Sequence, residues 1–163
     1  MATVTLGLGS NLGDRLATLQ RAVDLLAEHG VVATACSRVW ETEPIGGPQD
    51  QPAYLNAVVR ARTAGDARNT LDAANHVEAA LGRTREVHWG ARSIDIDILL
   101  VDDLISDDPE LTIPHPRMMD RSFVLLPLLE IDPDPVLPGG VRVLDQPSAV
   151  GEGRPFAAPL LMP

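Results

Sequence analysis

With 163 residues, 45% of them apolar and 22% charged, the chain has material for one domain with a hydrophobic core and the composition of an ordinary soluble protein. A net charge of −10 disfavours a general nucleic-acid binder, which needs a basic surface. All thirteen basic residues are arginine. That excludes a Walker A lysine, a Schiff-base lysine and a lysine general base, so any phosphate must be held by Arg, His, backbone amides or metal.

Residues 4–9 read as a short apolar strand running into Gly-Ser-Asn-Leu-Gly-Asp. A helix follows from Asp14, with Leu16, Leu19, Val23 and Leu26 on one stripe and Gly30 as its stop. Residues 31–43 alternate as one long strand. It contains the single cysteine, Cys36, which has no internal disulfide partner and reads as a small strand residue rather than a nucleophile. A Pro/Gly-rich loop (44–52) leads to a second strand at 54–63. Asp66 can cap the next helix, which carries Leu71, Ala74, Val77 and Leu81 inward and stops near Gly82. After an arginine-bearing loop (83–92) comes the strand 94–101, and Pro114-His115-Pro116 breaks the chain before a short helix at 118–129. From Gly139 onward the chain is rich in Pro, Gly and Ala and is expected to be an irregular or partly mobile tail.

The order strand, helix, strand, strand, helix, strand predicts an α+β fold of the ferredoxin-like, split β-α-β type. Its antiparallel sheet would carry helices on one face and leave the other for a site. Residues 1–138 form the expected domain and 139–163 a C-terminal extension of it. No apolar run is long enough to span a bilayer and the N-terminus does not read as a signal peptide, so a cytoplasmic location is expected.

Within Ile94-Asp95-Ile96-Asp97-Ile98, alternation turns the isoleucines into a core and both carboxylates out together. Alternation alone is ordinary strand patterning. Here, however, Arg83, Arg85 and Arg92 stand just upstream, beside Trp89-Gly90. Two carboxylates with Cα atoms about 6.6 Å apart can share a hydrated cation or cation pair, and the arginines supply what a polyphosphate needs.

Four stretches together carry a resemblance: residues 7–14, GLGSNLGD; residues 43–56, EPIGGPQDQPAYLN; residues 89–98, WGARSIDIDI; and residues 111–116, LTIPHP. In order and spacing, over roughly residues 3–138, the chain resembles the 6-hydroxymethyl-7,8-dihydropterin pyrophosphokinases. These folate-pathway enzymes move a pyrophosphoryl group from ATP to a pterin alcohol. The resemblance implies a pterin slot formed by Thr42, Pro44, Ile45, Tyr54, Asn56, Trp89 and Phe123. For ATP it implies Asn75, Glu78, Arg83, Arg85, Trp89, Arg92, Ile98, Thr112, His115 and Arg121. Asp95 and Asp97 would hold two magnesium ions, and Arg83 and Arg92 would act with them in catalysis. The partners implied are these two small molecules, for a monomer without nucleic acid or membrane. The chain departs from the family pattern in a shorter loop after Gly82, a longer one at Gly46-Gly47, and Asn75 where Gln is common. Glu110 and Pro116 replace an expected cation and an aromatic, and are left out of the site.

Residues 82–92 lack apolar periodicity and are expected to form a mobile lid over ATP. Two other classes compete. A two-metal nuclease or nucleotidyltransferase would also use paired aspartates, but the acidic charge argues against it. A small-molecule-binding regulatory domain would leave Arg83, Arg92, Asp95 and Asp97 without a joint purpose.

Overall fold

Leu6 and Leu8 alternate with Gly7 and Gly9 along β1 (Ala2–Ser10), so one side of this strand is greasy and the other is bare backbone. That strand is the middle of the molecule. In the computed structural model, which describes residues 1–43, 51–82, 93–150 and 152–163, β1 pairs antiparallel with β4 (Tyr54–Thr63) on one side and β5 (Asp95–Val101) on the other. Beyond β4 lie β2 (Val31–Cys36) and β3 (Val39–Thr42), both antiparallel to it, and β8 (Arg154–Ala157) closes the far edge against β3. The sheet order β5-β1-β4-β3-β8, with α1 (Arg15–Glu28) after β1 and α2 (Ala67–Ala80) after β4, is the expected ferredoxin-like arrangement. A separate hairpin, β6 (Ser106–Asp108) and β7 (Leu111–Ile113), follows β5.

Each helix starts where its sequence provides a cap. Asp14 accepts the Ala17 amide at 3.1 Å. Asp66 and Asn69 form a reciprocal capping box, at 2.8 and 3.0 Å. Leu19, Val23 and Leu26 of α1 and Ala74 and Val77 of α2 bury against Leu6, Leu8, Val59, Ile96 and Ile98. α1 ends at Gly30, with φ +84°, a left-handed position that glycine reaches without strain.

Three expectations are corrected. The long strand at 31–43 is broken at Ser37, whose hydroxyl takes the Val58 amide at 2.9 Å and shifts the register between β2 and β3. The second face of the sheet is only partly open. Val58 and Leu99 project there and would be exposed, so α3 (Ser122–Ile131) covers them with Val124, Leu125 and Leu128. The C-terminal stretch is not an irregular tail. Val143 is fully buried in that second core, Leu160 is buried in the first, and β8 extends the sheet. Its apolar residues are too sparse for a periodic signal, yet Val143, Ala149 and Leu160 are buried in the folded chain. Among the described residues no helix is long and apolar enough to cross a membrane.

Candidate active site

The second face carries two transverse rows, covered by α3 only at Val58. Pairing across β4, β1 and β5 puts Asn56, Gly9 and Asp95 in one row and Val58, Gly7 and Asp97 in the next. Strand spacing sets Asn56 and Asp95 about 9–10 Å apart, with only glycine backbone between them. The glycine is required. A Cβ at position 9 would stand 3.1 Å from Asn56 Oδ1 and 3.6 Å from the Tyr54 ring. Gly7 and Gly9 were not among the site residues expected from sequence. The signal was present, as alternate glycines on the face that carries the carboxylates.

At the β4 end, Asn56 and Thr42 are 6% and 8% exposed, and Asn56 Nδ2 donates to Thr42 Oγ1 at 2.5 Å. That bond turns Oδ1 over Gly9 as an acceptor. Tyr54 lies opposite Thr42 on the neighbouring strand and is half-buried. Phe123 sits at the start of α3, under the guanidinium of Arg121 at 5.3 Å from the ring centre.

At the β5 end, Asp95 and Asp97 are half-exposed while Ile94, Ile96 and Ile98 are buried, as the alternation requires. Arg121 Nη1 lies 3.6 Å from Asp97 Oδ2, so one arginine bridges the aromatic ring and the acidic strand. His115 Nε2 is 4.0 Å from Asp97 Oδ1. His115 Nδ1 accepts the Arg117 amide at 3.2 Å, which leaves the proton of the neutral ring on Nε2, facing the carboxylate. Burial pushes the His115 pKa down, against the pull of Asp97 and with the push of Arg121 and Arg117.

Beside this end opens a cleft of about 210 Å³, whose lining includes Asp97, Ile98, Thr112 and His115. Three residues expected from sequence for the nucleotide, Ile98, Thr112 and His115, thus share one wall with Asp97, expected for metal. Glu110 and Pro116, which the sequence reading left out, line the same cleft. Arg68 of α2 holds Glu110 at 2.9 Å and Asp108 at 2.8 Å, which fixes the β6–β7 hairpin against α2. Leu71, read as an inward helix residue, and Leu111, which opens the 111–116 motif, also border the cleft. Glu78 is buried and accepts the Ile96 amide at 3.3 Å, whereas Asn75 is exposed on α2 and is not in the cleft lining. Pro44, Ile45, Arg83, Arg85, Trp89 and Arg92, together with the expected lid, lie outside the described residues. Cys36 ends β2, with its thiol pKa pushed up by burial, as befits a strand residue rather than a nucleophile.

Asp95 and Asp97 fit a hard cation. They offer carboxylate oxygens on one strand face beside a floor without side chains. Among the described residues no three His, Cys, Asp or Glu side chains cluster as a closed metal cage. An ion held here would therefore complete its shell with water or substrate oxygens, as magnesium commonly does.

The sequence model of the 7,8-dihydro-6-hydroxymethylpterin-pyrophosphokinase (HPPK) family matches residues 5–133. The chain belongs to that family. A Bacillus subtilis relative named 2-amino-4-hydroxy-6-hydroxymethyldihydropteridine pyrophosphokinase is 45% identical over 127 residues, 77% of this chain and 75% of the relative. A protein of the same name from Methylorubrum extorquens is 44% identical over 140 residues, covering 85% of this chain and 88% of its own. Among solved structures, an HPPK-DHPS crystal structure in complex with substrates superposes with a TM-score of 0.70 at 14% identity. The match covers 91% of this chain and 42% of the other, and supports the fold. The HPPK assignment spans both transverse rows and the cleft, whereas the C-terminal segment, residues 139–163, lies beyond the matched residues.

Proposed function

We propose that this chain transfers a pyrophosphoryl group from ATP to 6-hydroxymethyl-7,8-dihydropterin, giving AMP and the pterin diphosphate, as a step of folate biosynthesis. One observation carries the reading: an amide reader and two outward carboxylates face each other across a glycine floor on one sheet face. The pterin is a flat bicycle with a polar edge. Its edge meets Asn56 and Thr42, and its faces meet Tyr54 and Phe123, with Pro44, Ile45 and Trp89 completing the slot. ATP takes the cleft beside β5, with Ile98, Thr112 and His115 along it, and Asn75 and Glu78 on the α2 side. Asp97 and Arg121 then lie where the phosphates turn toward the pterin.

Two magnesium ions at Asp95 and Asp97 would, when bound, neutralise the triphosphate and raise the acidity of the pterin alcohol. Arg121 orients phosphate by a charged hydrogen bond, and neutral His115 donates a hydrogen bond from Nε2–H without adding charge. Arg83 and Arg92, with Arg85, stabilise charge on the transferring group; arginines in such positions are worth several kcal/mol in phosphoryl transfer. The hydroxymethyl oxygen attacks the β-phosphorus, the bond between the α- and β-phosphates breaks, and AMP leaves. We place the enzyme in the cytoplasm as a monomer acting on its two small molecules.

The decisive assay is product analysis. Incubation with ATP, magnesium and the reduced pterin should give AMP and pterin diphosphate in equal amounts. Stoichiometric ADP without AMP would refute pyrophosphoryl transfer even if the pterin were phosphorylated.

A further inference from the structure

The C-terminal segment holds no residue of evident chemical use in its sequence, yet three of its residues touch both sides of the pterin slot. The Glu152 carbonyl accepts the Ser122 hydroxyl at 3.3 Å, next to Phe123. Gly153 then runs behind Thr42. A Cβ at Gly153 would come 3.2 Å from Thr42 Cγ2, 3.3 Å from Leu126 Cδ1 and 3.5 Å from Trp40 Cε3. Its φ lies outside the left-handed range, so the demand is for space and not for an unusual backbone. Finally, Arg154 pairs with Glu41 across β8 and β3.

These contacts bear on the slot through two side chains. Thr42 carries its methyl and hydroxyl on one Cβ, so a push on the methyl turns the hydroxyl. That hydroxyl is the partner of Asn56 Nδ2. The rotamer of Thr42 therefore sets which way the Asn56 amide presents its acceptor. Glu41 is only 12% exposed and lies between Arg154 and Arg15. Arg15 reaches on to the Ala53 carbonyl at 2.8 Å, one residue before Tyr54. The chain of contacts Arg154, Glu41, Arg15 and Ala53 thus ties the end of β3 to the beginning of β4, where Thr42 and Tyr54 stand.

We propose that residues 152–154 are a positioning element of the pterin pocket, with Gly153 setting the Thr42 rotamer and Arg154, through Glu41 and Arg15, fixing the spacing between Thr42 and Tyr54. The proposal rests on the pyrophosphokinase reading. It gives the C-terminal extension a part in substrate selection that the nucleotide side does not share, since none of these contacts reaches the cleft lining.

The test is a pterin fluorescence titration in the presence of magnesium and a non-hydrolysable ATP analogue, alongside calorimetry of the analogue and thermal melting. Gly153→Val overpacks Thr42 and should weaken pterin binding about tenfold or more, with analogue affinity held within about twofold. Gly153→Ala should move pterin binding in the same direction by about threefold, since its one carbon needs a shift of only tenths of an ångström. Arg154→Ala should also weaken the pterin selectively, and Arg154→Lys, which keeps the charge, should recover part of the loss. Unchanged pterin affinity in folded Gly153→Val overturns the proposal. So does a parallel loss of both ligands with a lowered melting temperature, which would mark a general structural role. If Gly153→Val does not fold, Gly153→Ala and Arg154→Ala decide by the same criteria. A wild-type protein that binds no pterin would instead remove the pyrophosphokinase reading, and this proposal with it.

Discussion

Gly9→Ala separates the demands of the fold from those of the site. The added carbon would stand 3.1 Å from Asn56 Oδ1, closer than such contacts normally run, and 3.6 Å from Tyr54 Cδ1. Asn56 must yield, and its 2.5 Å bond to Thr42 weakens or breaks. Losing one such bond costs about 1 kcal/mol, while alanine in place of a strand glycine returns about 0.5–1 kcal/mol. Net stability should hardly change, and the melting temperature should stay within about 4 °C of wild type. Pterin binding should change far more. Displacing the amide loses two polar contacts to the ring edge, worth about 1–1.5 kcal/mol each, so affinity should fall about 30–150-fold. Gly7→Ala is the comparison, because its added carbon meets Leu99 at an ordinary 3.6 Å. The assay is pterin fluorescence at saturating ATP analogue, with melting curves for all three proteins. A Gly9→Ala variant that melts like wild type and binds pterin within about twofold of it would refute the glycine-floor argument. A variant that loses more than about 3 kcal/mol of stability would show that Gly9 serves the fold instead.

Asp95→Ala and Asp97→Ala should each reduce AMP formation by orders of magnitude at saturating magnesium while circular dichroism and melting stay near wild type, since both side chains are half-exposed. Unfolding of either variant would contradict their outward placement. Arg154 and Arg15 hold the Glu41 pKa below its ordinary 4.5, the hydrogen bond from Arg154 contributing most. This carboxylate therefore adds stability that is complete above about pH 4.5 and is lost as pH falls through its folded value. Denaturant titrations from pH 6 to 3 should show a shallower acid loss in Glu41→Gln than in wild type, from a lower starting stability, and equal slopes would exclude Glu41 as a contributor.

The core of the fold was legible because its signals are local. Asp14 and Asp66 announce their helices, Gly30 and Gly82 end them, and the Ile-Asp alternation sets the facing of β5 without any tertiary information. The break at Ser37 was not legible, because a hydroxyl substituting in a strand ladder leaves the apolar alternation around it intact. The second core escaped for another reason: alternation puts Leu99 on the face of Asp95 and Asp97, but nothing local in β5 says that a helix from residues 122–131 covers it. Asp95 and Asp97 could be proposed as a pair from alternation and the nearby arginines, whereas Thr42 and Asn56 joined them only through the family resemblance. The positions of Glu110 and Pro116 depend on where the β6–β7 hairpin docks, and Arg68 decides that from a helix more than forty residues away.

β5 is an edge strand of the sheet, and its sequence, Asp-Ile-Asp-Ile-Leu-Leu-Val, has the makings of a sticky one. Consecutive β-branched and leucine side chains on an edge strand invite another strand to add, the first step of aggregation. Two features oppose this. Glu78 occupies the Ile96 amide, which a neighbouring chain would otherwise claim, and Asp95 and Asp97 place like charges at alternate positions that would repel a second copy. The carboxylates suited to metal thus also act as gatekeepers of solubility, and selection for either property restrains change in the other. A double Asp95→Ala, Asp97→Ala protein, attractive as an inactive reference, carries that exposure with it, and light scattering during refolding would reveal it where a melting curve would not.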